Sequence, residues 1–383
     1  MMRAGRTTAH RSGRQLTGRS RQTRPAPCAF LIRGLVSGLV KTLPAEHRCG
    51  IALLLSAFLL VLVPAGLGAQ SRILAQDPAI DNLRFPAGVE TTAFGQLGRV
   101  RKLGEGPRAM LLIPGLGFGD NVWTEFMERH RSEYTMYAIT LPGFGSTPPL
   151  PMPPEGSRFV EAPWTRSAIE AIEGLLARER IERITVVAHW ALATQIALRL
   201  ALDHPDRVEA VVLISGVLKS YYDVDPQMMT WTPEQRSANV EALGHRWFKT
   251  VTRRTWDDNN FMSYDYAINP RRGLFLWRDA QAPLLPVWIR YLLEFYTFDL
   301  ASRLRELRVP TLVVQPGFDD PDFYVEEGRN YMRNLCLDSW RGTAGISDRL
   351  EVVTIPRSRL FIMHDQPEAL QQVVNAFLKR KAG

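Results

Sequence analysis

Cysteine is scarce in this chain, three in 383 residues. Two of them, Cys28 and Cys49, lie ahead of or at the start of an apolar stretch near the amino terminus. The remainder keeps only Cys336, which excludes an internal disulfide framework and suits a chain large enough to build its core without covalent staples. Histidine is also sparse, at seven. His130, His204 and His245 have no partners spaced for metal binding, so neither a metal nor a cofactor is expected. Acidic side chains are missing from the first 45 residues. Residues 1–48 hold ten Arg or Lys against the single acid Glu46, which leaves −1 of the total +8 for everything that follows. The basicity therefore belongs to a leader expected to be disordered. A nucleic-acid partner, which wants a basic face on a folded domain, is not expected.

Only one long apolar run is present, Gly50 to Val63, followed by Pro64 and the small residues Ala65, Gly66, Gly68 and Ala69. A basic flank, a short apolar core and a small-residue tail form a secretory signal, here over 49–69 with cleavage near Ala69. The chain is expected to be exported, periplasmic or secreted. The alternative is an uncleaved amino-terminal membrane anchor, although a run this short sits at the low edge of what spans a bilayer. Membrane contact is expected through this segment only.

The centre of the remaining sequence is residues 184–215. The β-branched run Ile184–Val187 leads into a helical run that ends at Asp203-His204-Pro205, and a second apolar run covers Val208–Ile214. Strand, turn, helix and strand make a βαβ unit with a parallel sheet behind it. Both strands are apolar throughout, as expected when helices cover both faces of the sheet. Upstream, apolar and turn signals place strands near Thr91–Phe94 and Gly98–Lys102. A buried strand from Ala109 enters a Gly-rich loop at Pro114-Gly115-Leu116-Gly117, a strand from Thr135 exits through Leu141-Pro-Gly-Phe-Gly-Ser-Thr147, and a helix runs over Trp164–Arg180.

These motifs, in this order, resemble the α/β-hydrolase fold from about residue 85 to 380. The resemblance implies a mostly parallel central sheet flanked by helices (77–217 and 299–380), with a helical cap (218–298) inserted after the sixth strand. It also implies a nucleophile elbow, Gly-x-Ser-x-Gly, at the turn after Val187. Aligned without a gap to the helix, that pattern falls on His189-Trp190-Ala191-Leu192-Ala193 and puts Ala191 at the nucleophile position; aligned on the strand, it puts Trp190 there. Neither residue has a lone pair to attack a carbonyl. The flanking glycines are replaced as well, which suggests relaxed pressure on the turn.

The rest of the family's machinery maps onto this chain in part. Gly115 and Leu116 fall in the oxyanion loop, where the amides of Leu116 and Leu192 would face a developing oxyanion, with Trp190 beside them in a ligand pocket. The plainer reading is that these glycines only permit a strand-to-helix turn. The family's acid lands on Asp320 of Gly317-Phe-Asp-Asp320, with Asp319 its neighbour. Without a histidine to orient, Asp320 is expected to serve an Asx turn before Pro321. The catalytic histidine position in Arg359-Leu360-Phe361 is Leu360, and His364 is the possible substitute four residues on. The cap is rich in aromatics, among them Tyr221, Tyr222, Trp231, Trp247, Trp256, Tyr266, Trp288, Phe295 and Tyr296. Most are expected to fill the cap's own core and a few to line a pocket.

Three functions follow as expectations. The first is a pseudo-hydrolase that binds a small apolar ligand or a partner protein. The second is an active hydrolase of ester, lactone or epoxide type using Asp320, His364, Thr194 or a cap tyrosine. The third is an accessory subunit for an active homologue.

Overall fold

The computed structural model describes residues 90–92, 95–220, 230–323 and 330–381. The leader, the apolar core and its cleavage region, and Phe94, Tyr221, Tyr222, Met228 and Met229 lie outside the described residues.

Eight strands form one sheet: β1 (Glu90–Thr92), β2 (Arg99–Leu103), β3 (Arg108–Ile113), β4 (Tyr134–Thr140), β5 (Ile184–His189), β6 (Val208–Ile214), β7 (Thr311–Pro316) and β8 (Leu350–Ile355). Their spatial order is β1-β2-β4-β3-β5-β6-β7-β8. β1, β2 and β4 pair antiparallel, and every pairing from β4 to β8 is parallel. This is the α/β-hydrolase architecture, with the expected strands within a residue or two of their places. Every side chain of β5 is buried, as its unbroken apolar run demands in a sheet covered on both faces.

Between β3 and β6 lie α1 (Thr124–His130), α2 (Pro163–Arg178) and α3 (Leu192–Asp203). The α3 helix packs on β5 and β6, and each residue from Leu192 to Leu198 is buried. A helix buried on all sides needs cover on its outer face too. That cover comes from α2 and from the last helix of the insertion after β6, which forms α4 (Pro233–Thr250), α5 (Arg253–Asn259), α6 (Ser263–Tyr266), α7 (Pro270–Gln281) and α8 (Leu285–Tyr296). The chain breaks into short helices there because stop and start signals are close together. Thr232 and Thr252 each cap a helix through a reciprocal capping box, and Asn269 caps α7 through two backbone amides.

The α8 helix ties this cap to the core. Glu294, fully buried, accepts from Trp164 N (3.2 Å), Thr165 N (2.9 Å) and Thr165 Oγ1 (2.8 Å), and pairs with Arg290 Nε at 3.0 Å. The first turn of α2 has no side-chain cap of its own. A carboxylate from another element therefore satisfies its open amides at the positive end of the helix dipole.

After the cap come β7, then α9 (Tyr331–Asp338), β8, α10 (Ile362–Asp365) and α11 (Pro367–Lys381). The stretch from Asp299 to β7 does not form an α-helix. The structure has instead a 3-10 segment, Ala301–Glu306, with Leu307 already extended. Val309 precedes Pro310, whose ring disfavours helical backbone before it, so a helix there has no room to lengthen. No described helix is long and apolar enough to cross a membrane.

Candidate active site at the strand ends

In an open parallel sheet, ligands meet the loops at the carboxyl ends of the strands. Four such loops converge here, after β3, β5, β7 and β8. The turn after β5 is tight. Trp190 and Ala191 both have positive φ (51° and 50°), Ala191 has ψ −123°, and α3 starts at Leu192. Both candidate positions, Trp190 and Ala191, thus sit in the turn at positive φ, with Ala191 directly before α3. The loss of the flanking glycines had suggested a relaxed turn, but the turn is not relaxed. Residues with a Cβ held at such angles cost about 1–3 kcal/mol each and persist only where packing over-determines them. Ala191, Leu192 and Ala193 are fully buried, and Trp190 N continues the ladder to Ile214 O at 3.0 Å.

The loop after β3 presses against this turn. A Cβ on Gly115 would lie 2.9 Å from His189 Nδ1 and 3.0 Å from His189 O, so close approach is what requires glycine there. Gly117 has φ +90°, and its Cβ would stand 2.5 Å from Trp288 Cζ2 of α8. Leu192 is the first residue of α3, so its amide has no partner within the helix.

The residues expected as acid and base take other partners. Leu360 is fully buried; its amide donates to Asp265 O at 3.1 Å, and its carbonyl accepts from Ser215 Oγ (2.6 Å) and His189 Nε2 (3.1 Å). A carbonyl only accepts, so Nε2 carries the proton and Nδ1 is left as a buried, unpartnered lone pair. Burial lowers the His189 pKa to about 3, so the ring is neutral. Asp320 is gripped at both oxygens by Arg359, at 2.9 Å from Nε and 2.6 Å from Nη2. The Asx turn expected of Asp320 is therefore not what its carboxylate does. The turn is closed by backbone, Phe323 N to Asp320 O at 3.0 Å, while the side chain is spent on Arg359. The same guanidinium donates to Tyr264 O of the cap (2.6 Å) and lies over the Tyr264 ring, 4.2 Å from its centroid.

His364 does not reach the elbow. Its Nδ1 lies 3.3 Å from Arg272 Nη1 and 3.5 Å from Glu125 Oε2, its ring stacks on Phe361, and burial lowers its pKa. Thr194 Oγ1 accepts from Val217 N at 3.3 Å. His204 closes α3, as expected of a helix end, and pairs with Glu173 at 2.9 Å. No cluster of His, Cys, Asp or Glu suited to a metal occurs among the described residues. Cys336 is a buried free thiol.

Under the cap lies a cavity of about 470 Å³. Leu116 and Trp190 form its core side; Trp247, Trp256, Tyr266, Trp288, Phe295 and Tyr296 line it from the cap, and Tyr331 and Met332 from α9. Of the four pocket residues expected, Leu116 and Trp190 border this space, while Gly115 and Leu192 do not. Six cap aromatics reach the cavity, while Phe275, Trp277 and Tyr291, among others, do not. Burial raises the pKa of the Tyr266 phenol, so it stays neutral and acts as a hydrogen-bonding group.

Comparison with known proteins agrees with this architecture. Residues 110–373 match the family described as "Alpha/beta hydrolase family". Among curated proteins, the pimeloyl-[acyl-carrier protein] methyl ester esterase of Proteus mirabilis is 22% identical over 155 residues, 39% of this chain and 54% of that one. The enzyme of the same name from Chromobacterium violaceum is 28% identical over 144 residues, 38% of this chain and 48% of that one. The chain thus spans about half the length of the curated relatives it matches. Among solved structures, a hydrolase from Pseudomonas aeruginosa aligns with a TM-score of 0.54 at 16% identity, over 76% of this chain and 98% of that one. MenH from S. aureus aligns with a TM-score of 0.54 at 14% identity, over 74% and 99%. At these identities the structural likeness speaks for the fold alone.

Proposed function

The chain belongs to the alpha/beta hydrolase family, and from that premise we propose that it keeps the family's scaffold as a binding protein and does not carry out serine-type hydrolysis. The observation that carries this reading is at the elbow. The strained turn is present at Ala191, φ 50° and ψ −123°, with only a methyl group on it. Nucleophilic catalysis needs a lone pair at that point and a base within hydrogen-bond reach. The base position is the buried alkyl of Leu360, and the acid is committed to Arg359. The groups an unconventional hydrolase would draw on are also engaged: His364 with Arg272 and Glu125, and Thr194 with a backbone amide. What the scaffold retains is a cavity of a size that suits a small apolar ligand.

The curated relatives carry the name of an ester hydrolase, so ester cleavage is the reading to set against this one. Incubation of the full-length chain with a fluorophosphonate probe separates the two. No labelling is expected of the wild type, whereas covalent labelling that stops in an Asp320→Asn variant would restore the hydrolase reading. We also propose export through the segment 49–69. The readout is the amino-terminal sequence of the protein recovered outside the cytoplasm, expected to start near Gln70; full-length protein retained in the cytoplasm contradicts it.

A further inference from the structure

The first turn of the cap helix α7 meets the core through three side chains from three elements. Arg272 of α7 places Nη1 3.1 Å from Glu125 Oε1 of α1 and 3.3 Å from His364 Nδ1 of α10. Glu125 Oε2 lies 3.5 Å from the same ring nitrogen. The imidazole is enclosed, its side chain 1% exposed, whereas Arg272 and Glu125 both reach solvent.

A neutral imidazole has one N–H and one lone pair. Arg272 brings only donors, so its contact calls for the lone pair at Nδ1. The ring proton then sits on Nε2, which is buried with no hydrogen-bond partner. A second proton has one place to go, Nδ1. It would point where Arg272 donates, so the bond from cap to core is lost and two cations stand 3.3 Å apart. The new N–H turns to Glu125, which Arg272 must then share. One proton thus reverses the sign of the ring's interaction with the cap.

The surrounding groups leave this exchange in place. His189 of β5 is neutral, and Asp265 of α6 accepts from Asn330 at 2.8 Å. Asp365 accepts from Ile268 N and Arg359 N, and Arg129 of α1 is paired with Glu368 of α11 at 2.9 Å. His364 and Arg272 lower the Glu125 pKa to about 2, so that carboxylate stays ionised. Burial holds the His364 pKa below its ordinary 6.5, with Glu125 pulling it up and Arg272 adding to the depression. Once α7 lifts, the ring regains water and its ordinary affinity, so protons favour the lifted form as pH falls below about 6.5.

We propose that His364 is a proton-operated catch, which holds the first turn of α7 to the core when neutral and releases it when protonated. The far end of α7 keeps a separate tie, Asn121 Nδ2 to Asp279 Oδ2 at 3.1 Å. Trp277, between the two ends, donates to Asn260 O at 2.7 Å, and Asn260 lines the cavity, so release loosens the cavity wall. The catch stands whether or not the cavity holds a ligand.

Hydrogen–deuterium exchange of the full-length chain at about pH 7.5 and about pH 5.5, corrected for intrinsic rates, tests this. The protection of α7 is expected to fall about fivefold between the two, since uptake of one proton on opening shifts that equilibrium by up to about tenfold per pH unit. At both values α7 should exchange faster than β5 and β6, as a local opening requires. In His364→Gln, whose amide oxygen can still accept from Arg272, the protection of α7 should stay within about twofold across the same span. Should that variant fail to fold, Arg272→Gln replaces it: the protonated ring then pairs with Glu125 unopposed, and the loss in acid should vanish. Protection of α7 that is level in the wild type, that matches β5 and β6 at both values, or that still falls in either variant overturns the proposal.

Discussion

Replacing Arg359 by methionine keeps the side chain's length and removes its charge, which leaves the Asp320 carboxylate buried without a partner. The pair is close to fully enclosed, with side-chain exposures of 3% and 5% and two contacts of 2.9 and 2.6 Å. Breaking such a pair from one side costs about 3–5 kcal/mol, because the remaining charge is stranded. The substitution also removes donors to Tyr264 O and Ala267 O, worth about 1 kcal/mol each, which anchor the cap. Asp320→Leu alone should cost somewhat less, since Arg359 keeps those two carbonyls. The double variant should recover most of the loss, because an apolar pair of similar volume often replaces a buried ion pair at little net cost. Urea unfolding of the four proteins, followed by tryptophan fluorescence, gives the coupling energy. At least about 2 kcal/mol of non-additivity is expected. Losses that add to within about 0.5 kcal/mol would refute the claim that the acid's partner is now an arginine.

Three further outcomes follow from the same contacts. His189 has a folded-state pKa of about 3 against an unfolded value near 6.5, so below that pH the unfolded chain takes up a proton that the native state refuses. Stability should fall as pH drops below about 6.5, by up to ~1.4 kcal/mol per unit from this residue, and His189→Gln should flatten the profile by that amount; an unchanged slope contradicts it. Glu294→Ala strands two amides of α2 and the Arg290 guanidinium, and should cost about 3–5 kcal/mol in the same unfolding assay, against under 1 for a surface site. Gly117→Ala drives a Cβ into Trp288 at a backbone angle that disfavours side chains. A loss of about 1–3 kcal/mol is expected, and an unaltered melt goes against the cavity wall as described.

Much of this fold is written locally. The apolar runs at Ile184 and Val208 become β5 and β6, and Asp203-His204-Pro205 ends α3 where its composition says it must. Ala191 and Leu360 stand out in the sequence because the motifs around them hold their spacing. Partners from far along the chain were out of reach. Arg359 is next to the histidine position, yet nothing local says that its guanidinium will occupy the acid. His189 meets the carbonyl of Leu360 across 171 residues, and Glu294 caps a helix 130 residues before it. The strained elbow was hidden for another reason. Glycine loss argues for relaxation when read locally, whereas the angles at Trp190 and Ala191 are imposed by burial on every side.

Hydrolysis of p-nitrophenyl butyrate by the purified full-length chain, measured beside an Ala191→Ser, Leu360→His, Arg359→Ala triple variant, asks whether the scaffold is whole and only its reagents are missing. Three changes are needed because a restored histidine finds its acid already taken by Arg359. Wild-type turnover at the uncatalysed background, with a gain of about 10²-fold or more in the triple variant, is the predicted result. Wild-type turnover well above background that survives Ala191→Gly would contradict the account and place the chemistry on residues other than the elbow.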